Sequence, residues 1–135
     1  HQVDEVKQLA RELGVDEVVI KTAQIYDFED GSDLMPENSK YSRYHKGSDG
    51  KFQIKNPLLD ECWKMWQGCV ITWDGKIVPC CFDKDAHHTM GQIGQSAFRD
   101  IWKSEEYQQF RKAILNGRDQ IEMCRNCTEG TNVWA

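Results

Sequence analysis

Cys62-Trp63-Lys64-Met65-Trp66-Gln67-Gly68-Cys69-Val70-Ile71-Thr72-Trp73-Asp74-Gly75-Lys76-Ile77-Val78-Pro79-Cys80-Cys81 is the stretch around which the chain is organised. Its centre reads as a β-hairpin. Val70-Ile71-Thr72-Trp73 and Lys76-Ile77-Val78 are rich in β-branched and aromatic residues, and Asp74-Gly75 between them is a two-residue type I′ turn signal. Far along the chain, Cys124-Arg125-Asn126-Cys127 adds a second thiol pair. A hairpin carrying cysteines and a distant Cys-x-x-Cys knuckle together meet the needs of a tetrahedral thiolate site.

Geometry leaves the ligand set open. Side chains alternate across a strand, so Cys80 and Cys81 point to opposite faces and do not easily share one metal. With a two-residue turn, Trp73 pairs with Lys76 and Cys69 falls opposite Cys80. Cys62 and Cys69 are then rivals for one position.

The 135 residues suit one domain, or a small domain plus part of another. Net charge is −5 with a pI near 5.3, which lacks the basic footprint of a nucleic-acid binder. Lys103, Arg111, Lys112, Arg118 and Arg125 are interleaved with acids and read as solvated helix faces. No apolar run is long enough for a bilayer, so no membrane partner is expected. No signal peptide opens the chain, which points to a cytoplasmic protein. The first residue is His1 rather than Met, so a piece of something longer is expected. Six cysteines invite a disulfide framework. The missing signal, the Cys-x-x-Cys pair and the vicinal Cys80-Cys81 favour metal or a cluster instead.

Residues 2–13 form an amphipathic helix candidate, with Val3, Val6, Leu9, Ala10 and Leu13 at helical spacing and Gly14 as its stop. Residues 15–22 read as a strand, making an α/β unit that needs further strands to stand. From Ala23 to Asn56 periodicity fails, and a linker or surface loop is expected. Tyr26, Phe28, Tyr41, Tyr44 and Phe52 within it suit local packing or a substrate groove. After the cysteine hairpin, 82–88 reads as a polar loop, with Asp83 and Asp85 as solvators and His87 and His88 as a solvated pair. His45 and His1 carry no partner pattern. Residues 90–94 read as a short strand or turn. Ser96 is expected to cap a helix over 97–102. Ser104 is expected to cap a helix running to Asn116 and stopping at Gly117, with Tyr107, Phe110, Ile114 and Leu115 as its apolar stripe.

Cys62, Gly75, Cys80 and Cys124-x-x-Cys127, in that order, resemble the auxiliary iron–sulfur domain of radical S-adenosylmethionine enzymes, called SPASM or, shortened, Twitch. Trp73-Asp74-Gly75, Val78-Pro79-Cys80-Cys81, Met90-Gly91-Gln92-Ile93, Phe98-x-x-Ile101-Trp102 and Phe110-Arg111 agree with it. The resemblance covers about residues 58–130. It implies Cys62, Cys80, Cys124 and Cys127 as ligands of one auxiliary [4Fe–4S] cluster, with Cys69 and Cys81 left as free thiols. One cluster is implied because no cysteine follows Cys127.

The implied fold is α+β. A small cysteine-rich domain over 58–135, with a β-hairpin and C-terminal helices around an Fe–S or Zn site, follows a terminal α/β unit. That unit and its linker, 1–57, are similar to the closing end of the family's partial barrel. The barrel of the same chain would be the main partner, and a peptide or protein the substrate, with the cluster serving electron transfer or substrate positioning. The family's Cys-x-x-x-Cys-x-x-Cys motif is absent. S-adenosylmethionine and a second cluster would therefore belong to a missing N-terminal part, and this piece would not react alone. The rival is a structural Cys₄ zinc module serving interaction, equally suited on spacing. Closing Cys80 onto Cys124 costs roughly 3 kcal/mol of chain entropy. Structural thiolate sites in zinc peptides contribute about 10–16 kcal/mol. Folding of this half is therefore expected to depend on metal.

Overall fold

The computed structural model describes residues 2–55 and 57–127. The chain divides into two units, residues 1–53 and 54–135.

The first unit opens with helix α1 (Gln2–Leu13). It stops as its glycine demands. Gly14 has φ +69°, its N–H donates to Arg11 O (3.2 Å), and the Val15 N–H donates to Ala10 O (2.9 Å). This pair of bonds is a Schellman cap. Only Ala10 of the apolar stripe is buried; Val3, Val6, Leu9 and Leu13 stand exposed.

The expected strand over 15–22 does not form, and the α/β unit is not seen. No neighbouring strand offers it a ladder among the described residues, and Val15 and Val19 are exposed. Apolar alternation alone cannot supply the missing hydrogen bonds.

The expected linker instead carries structure. Strands β1 (Tyr44–Lys46) and β2 (Phe52–Ile54) form a two-stranded sheet across a Gly-rich turn. Tyr44 is buried, stacks on Phe28 at 4.9 Å, and its hydroxyl accepts from the Ile25 N–H (2.9 Å). Arg43 is buried and donates to the Thr22 hydroxyl and carbonyl, each at 3.2 Å. Phe28 and Tyr44 thus serve local packing.

The second unit contains the hairpin, flanked by a one-turn helix α2 (Lys64–Gln67). Strands β3 (Val70–Ile71) and β4 (Lys76–Val78) pair antiparallel, Val70 with Val78 and Ile71 with Ile77. The turn is not the expected two-residue type. Thr72 N donates to Lys76 O and Gly75 N to Thr72 O, both at 2.9 Å, which encloses Trp73-Asp74-Gly75. Gly75 takes φ +83°, the left-handed third position of a three-residue loop. The Thr72 hydroxyl donates to the Asp74 carboxylate and accepts from Lys76 N, which favours this loop. The register therefore shifts by one residue, and Cys69 falls across from position 79 rather than Cys80.

Strand β5 (Gly91–Gln92) pairs antiparallel with β4, Ile77 with Gly91, giving the order β3-β4-β5. Helices α3 (Phe98–Lys103) and α4 (Glu105–Gly117) follow. Ser96 does not cap α3. Its place is taken by Ala97, while Ser96 bridges Ile93. Ser104 does cap α4, accepting from the Tyr107 N–H at 3.3 Å.

Met65, Ile77, Met90, Ile101, Tyr107, Phe110 and Ile114 form one core. Leu115, expected in the α4 stripe, is exposed. Arg111 is buried rather than solvated. It donates to Met65 O (3.1 Å) and Trp102 O (3.0 Å) and lies over the Trp102 and Tyr107 rings at 4.4 and 4.2 Å. It therefore ties α2, α3 and α4 together, trading hydration for cation–π contacts and carbonyls.

A Cβ at Gly91 would stand 2.9 Å from Ile101 Cγ1 and Cγ2. Gly91→Ala is expected to cost about 1–3 kcal/mol by overpacking. Urea denaturation checks this, and adding Ile101→Ala should recover part of the loss beyond its own cavity cost.

Candidate metal centre

Three segments deliver thiols to one place. Cys62 opens the α2 turn, its carbonyl accepting from the Met65 N–H at 3.1 Å, and Met65 is fully buried in the core. Cys80 follows β4, two residues beyond Val78. Its carbonyl accepts from the Asp83 N–H at 3.1 Å. Asp83 is buried, not solvated. Its carboxylate accepts from the backbone N–H groups of His87 and His88, both at 2.8 Å, and holds the 83–88 loop. His88 is half-buried with its ring 5.1 Å from that of Phe110, while His87 is exposed.

Cys124 lies in the short helix α5 (Glu122–Arg125), reached from α4 through a 3₁₀ turn at Arg118–Gln120. The Cys127 N–H donates to Cys124 O at 3.0 Å, closing the knuckle.

Cys62, Cys80, Cys124 and Cys127 line a single small cavity, with Met65, Phe82, Ile114, Arg118 and Met123. The four thiols implied by the resemblance are thus brought together. Cys69 is excluded from this wall. It lines an outer pocket of about 240 Å³ with Lys64, Pro79, Cys80 and Cys81. The one-residue shift of the hairpin is the physical reason. Cys81 is exposed in the turn that follows half-buried Cys80. None of the six cysteines is in a disulfide. Among the described residues no three His, Cys, Asp or Glu side chains are set as a ready single-ion site.

Arg118 is the residue that sequence reasoning missed. It was expected in solvent and is 3% exposed. Its backbone N–H donates to Asp60 Oδ1 (2.8 Å) and its Nη1 to Glu61 O (2.7 Å), so it ties the Cys62 segment to the knuckle segment. Its Nε and Nη2 are buried without a hydrogen-bond partner. Leaving such donors unpaired costs about 1–3 kcal/mol each, more for a charged group. The only cue in sequence is an arginine just after a helix-stopping glycine and six residues before the knuckle.

Burial pushes the Cys80 thiol up to about 12, against a backbone N–H at Phe82 and with Cys81 and Cys127 adding to the rise. Burial likewise raises Cys124 to about 11, with Arg118 opposing and Cys127 and Cys62 adding. Burial also raises Cys69. A buried thiol set with a buried, half-unpaired cation is short of negative charge. Thiolates around a cationic guest would satisfy both, so the residues present fit a thiolate-held cofactor.

The fold and the cavity describe a cysteine-rich cofactor-binding domain. Residues 62–128 match the SPASM family, an iron-sulfur cluster-binding domain, and this part of the chain is a SPASM domain. Over 59 residues the chain is 36% identical to the S-adenosyl-L-methionine-dependent 2-deoxy-scyllo-inosamine dehydrogenase of Niallia circulans. That match covers 43% of this chain and 24% of the relative, so the chain spans about a quarter of that protein's length. A crystal structure of selenomethionine BtrN in an open conformation is similar at 31% identity and TM-score 0.46, covering 51% of this chain and 33% of that one. No helix among the described residues is long and apolar enough to cross a membrane.

Because the folded pKa values of Cys80 and Cys124 lie above the ordinary thiol value near 9, the metal-free fold should be most stable below that pH. Its stability should fall as pH rises towards 11–12, where folding opposes deprotonation. Thermal melts of metal-free protein across pH 7–11 check this, and the decline should vanish once metal holds the thiolates.

Proposed function

We propose that Cys62, Cys80, Cys124 and Cys127 hold one auxiliary [4Fe–4S] cluster in the C-terminal domain of a radical S-adenosylmethionine enzyme. The observation that carries this is that four thiols from three segments line one cavity within the SPASM match. A bound cluster supplies one-electron redox chemistry. The chain's own residues do the rest. Four thiols complete the ligand set and leave no iron open to substrate, which supports electron transfer over direct substrate binding. Phe82, Met65, Ile114 and Met123 keep water from the thiols. Arg118 holds the Cys62 and Cys124 segments at a fixed separation.

Residues 1–57 are assigned to the end of the barrel and its linker. The exposed stripe of α1 and the 15–22 segment, which joins no sheet among the described residues, suit a piece whose neighbours lie elsewhere in the protein. The barrel is then the partner, in a cytoplasmic enzyme. A peptide or protein substrate is the wider family's expectation. The 36% identity to a dehydrogenase of 2-deoxy-scyllo-inosamine favours a second reading, a small-molecule substrate for the whole protein.

Anaerobic reconstitution with iron and sulfide should give about four of each per chain and a broad visible charge-transfer band. Cys80→Ser and Cys124→Ser should each lose most of that iron, whereas Cys69→Ser and Cys81→Ser should keep it. A colourless protein holding one zinc and no sulfide would instead establish the Cys₄ zinc module.

A further inference from the structure

Arg118 has donors left over once the oxygens around it are served. Its Nη1 is committed to Glu61 O at 2.7 Å. Its Nε and Nη2 are buried and unpaired, and its side chain forms part of the wall that Cys62, Cys80, Cys124 and Cys127 share. Two N–H groups and a full positive charge are therefore held beside the thiols, in a place that water does not reach. Its position is set from two sides, by Asp60 Oδ1 on its own backbone N–H and by Glu61 O on its guanidinium. The guanidinium cannot lose its proton, so this charge does not switch off with pH.

Hydrogen bonds to ligand sulfurs, net charge and solvent exposure are the protein's means of setting a cluster's reduction potential. Resting on the cluster reading above, we propose that Arg118 is a positioning and tuning residue. Its Nε–H and Nη2–H donate to thiolate sulfur in the cavity, and its charge favours the reduced cluster. The direction follows from electrostatics. Reduction adds negative charge to a site already net negative, and a fixed cation in a low-dielectric wall stabilises the more negative state.

The test uses the full chain, reconstituted anaerobically with iron and sulfide. Arg118→Gln removes the charge and keeps a polar amide. Circular dichroism checks that it folds, and iron and sulfide content checks that it loads. A dye-mediated redox titration followed by electron paramagnetic resonance then gives the midpoint potential. The expected result is that Arg118→Gln disfavours reduction by about tenfold or more, a shift of about 59 mV to lower potential for one electron. An unchanged or raised potential in loaded Arg118→Gln overturns the proposal and leaves the cluster reading intact. A wild-type chain that takes up no iron and sulfide overturns both. Should Arg118→Gln fold poorly or fail to load, the wild-type chain grown with ¹⁵N-arginine decides. Pulsed resonance on the reduced cluster should show coupling to a guanidinium nitrogen, and its absence overturns the proposal.

Discussion

Thiolates can be gathered in a protein interior only where positive charge meets them. That constraint orders the second unit of this chain. Without a cationic guest, burial keeps protons on Cys80 and Cys124. Arg118, the one fixed cation among the described residues of the cavity wall, opposes this at Cys124. The core of Met65, Ile77, Tyr107 and Ile114 is the frame on which this tension is built. Cys62, Cys69 and Cys80 pack directly against that core, so the packing that stabilises the domain also aims its sulfurs.

Two arginines show how differently one residue type can be used. Arg111 gives two donors to carbonyls, rests on two aromatic faces with only its Nη2 left without a hydrogen bond, and acts as a strut. Arg118 is satisfied on one side only. Both were expected on solvated helix faces, because charge interleaving is all a sequence shows of them. Their burial depends on aromatic rings and carbonyls supplied from segments up to 57 residues away. Likewise Asp83 looked like a loop solvator, yet its carboxylate braces the turn that follows Cys80.

Part of the site was legible, by resemblance rather than by spacing. Cys62, Cys80, Cys124 and Cys127, which the resemblance implies, line one cavity, whereas spacing alone left Cys62 and Cys69 as rivals. Local chemistry also read true where it is self-contained. Gly14 ends α1, Ser104 caps α4, and Tyr107, Phe110 and Ile114 face inward. Reading failed where a segment needs a distant partner. Residues 15–22 have strand-like composition and no ladder, and the supposed linker closes into a sheet because Tyr44 finds Phe28 and Ile25.

The hairpin draws the line most sharply. By itself the sequence determined that Val70–Ile71 and Lys76–Val78 would pair, since β-branched residues flank an Asp-Gly turn. It did not determine the register, because Asp-Gly serves two-residue and three-residue loops alike. The Thr72 hydroxyl, bonded to Asp74 and to Lys76 N, is part of the loop that was formed, and with one residue of shift Cys69 lines the outer pocket rather than the cavity wall. The types of ligand lie in the chain's order of residues. Which sulfurs meet, and which cation waits beside them, is decided by three-dimensional closure, since both depend on contacts that no local pattern encodes.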